Sequence, residues 1–175
     1  MSNPAPPAWP DDIYRVLKDA GVRQVCYVPD AGHTRLINQC LADNSMRTVA
    51  LTTEEEGVAM LSGGWLGGDR GVLLMQSSGV GNCINMLSIV QECRFPMLII
   101  VTMRGEWGEF NPWQVPMGEG TQAALENAGV LVRRADSPDD VGETIHAAAQ
   151  LAYASYRAVA VLIGQRVIGF KDWRK

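Results

Sequence analysis

Three consecutive glutamates, Glu54 to Glu56, stand between a short apolar run and a stretch rich in small residues. Residues 52–68 read TTEEEGVAMLSGGWLGG, and this pattern predicts a helix that follows directly on a strand. In open α/β proteins, ligands bind outside the carboxyl ends of the strands. A carboxylate at the start of this helix is therefore a candidate functional group.

The three glutamates also have a structural interpretation. With Thr53 as the N-cap, Glu56 completes a capping box, and Glu54 and Glu55 suit the positive end of the helix dipole. With Thr52 as the N-cap, Glu55 becomes the capping-box residue instead. Local signals alone leave both alternatives open.

Glycines recur along the same predicted helix. Gly57, Gly63, Gly64, Gly67 and Gly68 all follow the glutamates. Glycine lowers helix stability, so this accumulation needs a reason outside the helix itself. We expect another backbone to approach the helix closely.

Short runs rich in Val, Ile and Leu alternate with stretches of helical spacing along the chain. The predicted strands cover residues 24–29, 48–52, 71–77, 96–102, 130–134 and 158–164. The predicted helices cover residues 11–20, 32–43, 54–67, 81–92, 119–127 and 138–155. This alternation predicts an α/β fold with a doubly wound, mostly parallel six-stranded sheet and helices on both faces.

The predicted elements form one domain over residues 11–175, preceded by a loosely held, Pro-rich segment at residues 1–10. One long connection, residues 103–118, reads MRGEWGEFNPWQVPMG. Its length and aromatic content are typical of a functional loop or a docking surface.

Composition narrows the class of protein. Of 175 residues, 47% are hydrophobic and 19% charged, and the net charge is −4 with Lys and Arg scattered along the chain. No basic footprint for nucleic acid or an anionic membrane is visible, and no apolar run is long enough to span a bilayer. Residues 1–12 lack the features of a signal peptide, so we expect a cytoplasmic protein.

Other loops at the carboxyl ends of predicted strands also carry chemical groups. Asp30 and His33 follow the first strand, and Arg104 follows the fourth. Residues 77–82, SSGVGN, follow the third strand and predict a flexible turn whose N–H groups face an anion or a ring. The turn matches neither the dinucleotide fingerprint nor a Walker loop, so an ordinary tight turn is an equal alternative.

Taken together, these segments resemble the pyrimidine-binding domain of thiamine diphosphate-dependent enzymes. The resemblance runs over nearly the whole chain, through VPD at 28–30, the Glu-x-Gly-x-Ala helix start at 55–59, GVLLMQSSGVGN at 71–82 and FPMLIIV at 95–101. EEEG, SGxGN and RGE...NPWQVPMG look most similar to two-subunit sulfopyruvate decarboxylases and to phosphonopyruvate decarboxylases.

The resemblance implies a role for Glu55. In this superfamily a glutamate at the matching position hydrogen-bonds N1′ of the aminopyrimidine and so promotes deprotonation of thiazolium C2. The same resemblance implies that Ser78, Gly79 and Asn82 contact the cofactor. The expected reaction is non-oxidative decarboxylation of a 2-oxo acid, which releases carbon dioxide and an aldehyde.

Further roles follow from the same resemblance. The superfamily often places proton-transfer groups where Asp30 and His33 stand, although His33 has an equal interpretation as a solvent-exposed loop residue. A sulfonate or phosphonate needs a cationic clamp, for which Arg104 is the first candidate and Arg35 a weaker one. The alternative for Arg104 is an exposed ion pair with Glu106 or Glu109. His146 is expected to be structural.

The aromatic connection has two interpretations. Trp113 and Gln114 are candidates for substrate binding. Trp107, Phe110 and Trp113 together would either wall the substrate pocket or fill a subunit interface.

One motif of the superfamily is missing from this chain. The Gly-Asp-Gly sequence with a later Asn, which holds Mg2+ and the cofactor diphosphate in a second domain, does not occur. The resemblance therefore implies a hetero-oligomer in which a separate beta subunit holds the diphosphate and Mg2+. The 2-oxo acid stays open, and the alternatives are a non-catalytic binding or assembly subunit and a flavodoxin-like nucleotide binder.

Overall fold

Six parallel strands form the centre of the structure, a computed structural model that describes residues 8–169. The strands are β1 (Val22–Tyr27), β2 (Arg47–Ala50), β3 (Arg70–Gln76), β4 (Met97–Thr102), β5 (Leu131–Ala135) and β6 (Ala158–Ile163). Their order across the sheet is β2-β1-β3-β4-β6-β5, and every neighbouring pair is parallel. The predicted doubly wound parallel sheet is confirmed.

Helices connect the strands and cover both faces of the sheet. They are α1 (Trp9–Asp19), α2 (Thr34–Ala42), α3 (Glu54–Leu66), α4 (Ser77–Cys83), α5 (Leu87–Cys93), α6 (Val115–Asn127), α7 (Pro138–Ser155) and α8 (Gln165–Ile168). The single helix predicted over residues 81–92 is instead two helices, α4 and α5. Helix α6 begins at Val115, four residues before its predicted start, after a 3-10 turn at Pro112–Gln114.

Two apolar cores account for the continuous hydrophobic runs of the central strands. All six residues of β4 and all six of β6 are buried, because helices cover both faces of these strands. Along β4, Leu98 and Ile100 pack into the core beneath α1, α2 and α7. Ile99 and Val101 pack into the opposite core, beneath α3, α4, α5 and α6.

The N-terminal boundary differs from the expected one. Helix α1 begins at Trp9, inside the segment predicted to be loosely held, and both Trp9 and Pro10 are buried. Residues 1–7 of that segment lie outside the described residues. Within residues 8–169, no helix combines the length and the apolar character needed to cross a lipid bilayer.

The strand order reverses between β1 and β3, and this reversal defines the functional edge of the sheet. The chain moves from β1 outward to β2 and then returns to the other side of β1 as β3. A crevice opens at such a switch point, outside the carboxyl ends of the two strands. The segments that follow β1 and β3 therefore meet there.

Two of the glycines of α3 are explained by the sheet beneath them. A Cβ on Gly57 would lie 2.5 Å from Leu73 Cδ1, and one on Gly64 would lie 2.1 Å from Gln24 Oε1. Gly63, by contrast, has no atom within 4 Å of its Cβ position. The predicted approach of another backbone is thus wrong for Gly57 and Gly64, because side chains of the chain's own sheet fill that space.

Substituting these glycines tests the seating of α3. Gly57→Ala should lower the free energy of unfolding by about 1 to 3 kcal/mol, because the added methyl overlaps the Leu73 side chain. Gly63→Ala, the matched control in the same helix, should raise it by about 0.5 to 1 kcal/mol. Urea unfolding of the two variants measures both changes, and equal effects would contradict the close packing of α3 on the sheet.

Candidate active site

The three glutamates at the start of α3 have three different environments. Thr53 is the N-cap of α3, but its side chain makes no capping hydrogen bond. Glu56 Oε2 instead accepts a hydrogen bond from the backbone N–H of Thr52 at 2.8 Å. Neither predicted capping box forms as drawn from the sequence, although Glu56 does satisfy a backbone donor that precedes the helix.

Glu54 is the buried member of the three, with 7% of its surface exposed. Its Oε2 accepts a hydrogen bond from Nδ2 of Asn82 in α4 at 2.8 Å. Its Oε1 lies against Gly79, where a Cβ would approach that oxygen to 2.1 Å. Glu54 therefore connects α3 to α4.

Glu55 is left on the surface. Its side chain is exposed and makes no hydrogen bond or ion pair with any residue in the range 8–169. Because its two neighbours are both engaged, Glu55 is the carboxylate at this helix start that remains available to a ligand. The position is fixed, since the first turn of α3 is held by Glu54 and Glu56.

The segment SSGVGN is helical from its first residue. Gln76 is the N-cap, and α4 begins at Ser77 at the very end of β3, so the predicted flexible turn is wrong. Ser78 lies on the exposed side, where its Oγ donates to Gln76 Oε1 at 2.9 Å. Gly79 and Asn82 lie against Glu54, which explains why a helix contains this glycine.

Asp30 is held in a small cavity at the switch point. Its Oδ1 accepts a hydrogen bond from Gln76 Nε2 at 2.9 Å, and its Oδ2 accepts one from Thr102 Oγ1 at 2.6 Å. These contacts join the residues that follow β1 to the last residues of β3 and β4. The cavity has a volume of about 230 Å3 and is lined by Asp30, Ala31, Gly32, Thr102, Arg104, Ile168 and Gly169.

His33 lies apart from this cavity, because it is completely buried. Its Nε2 contacts the carbonyl oxygen of Ile100 at 3.2 Å, while its Nδ1 has no hydrogen-bond partner among the described residues. Burial lowers the pKa of the imidazole below its ordinary value, so the ring is neutral near pH 7. The interpretation of His33 as a solvent-exposed loop residue is wrong, and a direct contact with substrate is not available to it here.

Arg104 reaches the cavity as one half of an ion pair. Its Nε and Nη2 donate to the two carboxylate oxygens of Glu109, each at 2.6 Å, and its guanidinium lies 5.8 Å from the centre of the Phe110 ring. Nη1 makes no hydrogen bond to any residue that the structure describes. Arg104 is about one-fifth exposed and Glu109 nearly buried, so the pair is more than a surface contact.

The Arg104 pair shifts the pKa values of both partners. Hydrogen bonding from Arg104 lowers the pKa of Glu109 to about 2, with smaller contributions from Asn111 and Gln165 that act in the same direction. The hydrogen bond to Glu109 raises the pKa of Arg104 above its already high value. Both groups are therefore charged at neutral pH.

Gln165 organises the loop after β4 and was not anticipated from the sequence. It is fully buried, and its Oε1 accepts hydrogen bonds from the backbone N–H groups of Glu106 at 3.1 Å and Trp107 at 2.9 Å. Its Nε2 donates to Glu109 Oε2 at 2.9 Å. The signal in the sequence is its place directly after β6 and Gly164, at the same carboxyl edge as the other loops.

The aromatic side chains of residues 103–118 point outward. Trp107 is 41% exposed and packs on Arg166, Phe110 is 45% exposed, and Trp113 is 86% exposed. Gln114 is half-buried, and its Oε1 has no hydrogen-bond partner within residues 8–169. Trp113 and Gln114 do not line the cavity that contains Asp30 and Arg104.

The remaining candidates lie elsewhere. Arg35 pairs with Asp11 through two of its nitrogens, on the α1–α2 side of the sheet. His146 is exposed on α7. No group of three or more His, Cys, Asp or Glu side chains suited to a metal ion occurs among the described residues.

Comparisons with known proteins show the family to which this chain belongs. Residues 10–127 match the family described as thiamine pyrophosphate enzyme, N-terminal TPP binding domain. The chain is 35% identical over 152 residues to the sulfopyruvate decarboxylase subunit alpha of Methanococcus maripaludis, a match that covers 86% of this chain and 91% of that protein. It is 39% identical over 99 residues to the phosphonopyruvate decarboxylase of Streptomyces viridochromogenes, covering 56% of this chain but only 25% of that longer protein.

A solved structure supports the fold. The 2-oxoglutarate:ferredoxin oxidoreductase from Magnetococcus marinus superposes with a TM-score of 0.70 over 93% of this chain and 29% of its own. The sequence identity is 14%, so this likeness concerns the fold alone.

The Arg104–Glu109 pair makes stability depend on pH in acid. Because the pKa of Glu109 is depressed from 4.5 to about 2 in the folded protein, its stabilising effect is complete above pH 4.5 and is lost as pH falls towards 2. Glu109→Gln should therefore lower the free energy of unfolding by about 2 to 3 kcal/mol at pH 7. The difference from the wild type should shrink between pH 5 and about pH 2.

Urea unfolding of both proteins at a series of pH values measures this difference. Other depressed carboxylates such as Asp43 are common to the two proteins, so they cancel in the comparison. A difference that stays constant from pH 7 to pH 2.5 would contradict the proposed ion-pair contribution.

Proposed function

We propose that this chain is the alpha subunit of a 2-oxo acid decarboxylase. It belongs to the family of N-terminal binding domains of thiamine pyrophosphate enzymes. The observation that carries the proposal is Glu55, an exposed carboxylate without an intramolecular partner at a fixed helix start. The similarity to a sulfopyruvate decarboxylase subunit alpha over 86% of the chain supports the same conclusion.

Glu55 fits the pyrimidine ring of thiamine diphosphate, because the ring nitrogen N1′ needs one carboxyl group that no other protein group occupies. This carboxyl group would share a hydrogen bond with N1′, give a proton to that atom and take it back. When bound, thiamine diphosphate supplies a carbon nucleophile for the keto group of the substrate and a sink for the electrons that departing carbon dioxide leaves behind. Towards the cofactor, the chain contributes orientation and one proton-transfer site.

The switch-point cavity is the candidate position for the 2-oxo acid. Asp30 is fixed there by Gln76 and Thr102, so it would hold or release a proton at one defined place. Arg104 would contact an anionic group of the substrate through Nη1, because its other edge is engaged by Glu109. Sulfonate and phosphonate groups suit such a contact, and the relatives that act on sulfopyruvate and phosphonopyruvate favour these two acids.

A second subunit would complete the active site. A relative matched over 86% of this chain is named a subunit alpha, so we expect a separate beta subunit that would hold Mg2+ and the cofactor diphosphate. Trp113 is 86% exposed and would suit an anchoring role in such a contact.

Replacing Glu55 tests the proposed activity. Glu55→Gln should lower the rate of carbon dioxide release about 100-fold or more, because an amide does not exchange a proton with N1′. Glu56→Gln is the matched control and should stay within about twofold of the wild type, since a glutamine side-chain oxygen can still accept the hydrogen bond from the Thr52 N–H.

The assay for this prediction uses the chain co-purified with the product of its neighbouring reading frame, with Mg2+, thiamine diphosphate and a panel of 2-oxo acids. The panel includes sulfopyruvate and phosphonopyruvate. Full turnover in Glu55→Gln would contradict the proposed role of Glu55 in proton transfer at N1′. No turnover on any acid would point instead to a non-catalytic binding or assembly subunit.

The substrate clamp is tested by comparing two arginines. Arg104→Lys should raise KM about tenfold, because losing one charge-assisted hydrogen bond costs about 1.5 kcal/mol. Arg35→Lys is the control and should leave KM unchanged, because Arg35 is paired with Asp11 outside the cavity. Initial rates on the acid that the panel identifies measure both values, and equal KM changes in the two variants would contradict the assignment of Arg104.

A further inference from the structure

We infer that Glu54, Gly79 and Asn82 form a lock between α3 and α4, and that this lock sets the direction of the Glu55 side chain. Glu54 is thus a positioning residue, which acts on the cofactor only through Glu55. The catalytic consequence of this lock rests on the proposed function. Its structural part, the fixing of the first turn of α3, can be measured without any cofactor.

The lock joins two helices that follow non-adjacent strands. Helix α3 follows β2 and α4 follows β3, and β1 lies between these strands in the sheet. The hydrogen bond from Asn82 Nδ2 to Glu54 Oε2, at 2.8 Å, connects the two helices directly. A carboxylate with 7% exposure is costly to bury, and a charge-assisted hydrogen bond offsets that cost.

Gly79 is required on the other side of the same carboxylate. A Cβ at this position would lie 2.1 Å from Glu54 Oε1 and 2.3 Å from its Cδ, so any side chain here would force the Glu54 carboxylate out of its observed position. Both oxygens of Glu54 therefore meet α4, one through Asn82 and one against the bare backbone of Gly79. This contact explains why α4 contains a glycine at position 79, although glycine has low helix propensity.

The direction of Glu55 follows from helix geometry. Successive side chains differ by about 100° around a helix, so holding Glu54 inward turns Glu55 outward. The first turn of a helix lacks internal acceptors for its N–H groups and frays unless it is fixed from outside. The Thr53 side chain gives no capping bond here. Glu56 bonds the N–H of Thr52, which precedes the helix, whereas Glu54 bonds α4, so only the Glu54 contact fixes the first turn relative to its neighbouring helix.

Three variants test the lock in the co-purified complex. Glu54→Ala removes it from α3, Asn82→Ala removes the donor from α4, and Glu54→Gln keeps an acceptor for Asn82. Glu56→Ala is the control, because it loosens the same helix start without touching the lock. Gly79→Ala displaces the Glu54 carboxylate from the opposite side and serves if Glu54→Ala fails to fold.

Two readouts are needed. The first is kcat and KM for the 2-oxo acid, together with the dissociation constant of thiamine diphosphate. The second is amide hydrogen exchange of residues 57–60 in the complex without cofactor, because their N–H groups bond to the carbonyls of the helix start and so report the first turn of α3 independently of turnover. A loss of overall stability alone would accelerate exchange throughout the chain rather than at this turn.

We expect Glu54→Ala to lower kcat by about 10 to 100-fold with KM for the acid changed less than about threefold, because Glu55 is displaced rather than removed. Exchange at residues 57–60 should rise about tenfold, and Glu54→Gln should restore both values to within about threefold. The double variant Glu54→Ala with Asn82→Ala should be no worse than Glu54→Ala, because both changes break one interaction.

The inference is overturned if Glu54→Ala keeps kcat within twofold and leaves exchange unchanged, if Glu56→Ala produces the same kcat loss, or if the two single losses multiply in the double variant. If Glu55→Gln itself retains full turnover, the proposed function fails, and local amide exchange alone then decides whether the lock exists.

Discussion

The burial of both faces of the parallel sheet is the constraint on which the rest of this structure depends. Because helices cover the two faces, β4 and β6 are buried along their whole length and leave no lateral position for a polar ligand. Chemistry is thereby confined to the carboxyl edge, where the chain leaves each strand. The reversal of strand order between β1 and β3 then brings Asp30 and Gln76 into contact, although 46 residues separate them.

Much of the architecture could be predicted because it depends on local patterns. Short apolar runs mark all six strands, which are four to seven residues long, and polar residues with helical spacing mark most of the helices. The start of α3 was also readable, since consecutive glutamates favour the positive end of a helix. The SSGVGN segment was misread for a physical reason. Its glycines and serines have low helix propensity, but the helix places Gly79 in contact with Glu54, which a local pattern does not show.

The site was less predictable because its geometry depends on distant partners. His33 is buried against a carbonyl oxygen 67 residues away, and no local signal distinguishes that position from an exposed loop. The sequence offered Glu106 and Glu109 equally as partners for Arg104, and Arg104 pairs with Glu109. Gln165 is one of the groups that hold Glu109 in place. Glutamines such as Gln165 carry no charge and no motif, so their part in a polar network is visible only in three dimensions.

In the ion pair with Arg104, Glu109 occupies part of the guanidinium that an anionic ligand would otherwise contact. Two nitrogens of the guanidinium are already bound by an internal carboxylate, so an incoming anion gains little by displacing one carboxylate with another. The remaining edge of the guanidinium, which carries Nη1, stays open to an anion that leaves the pair intact. Under the proposed function, the choice of substrate would therefore depend in part on this intramolecular carboxylate.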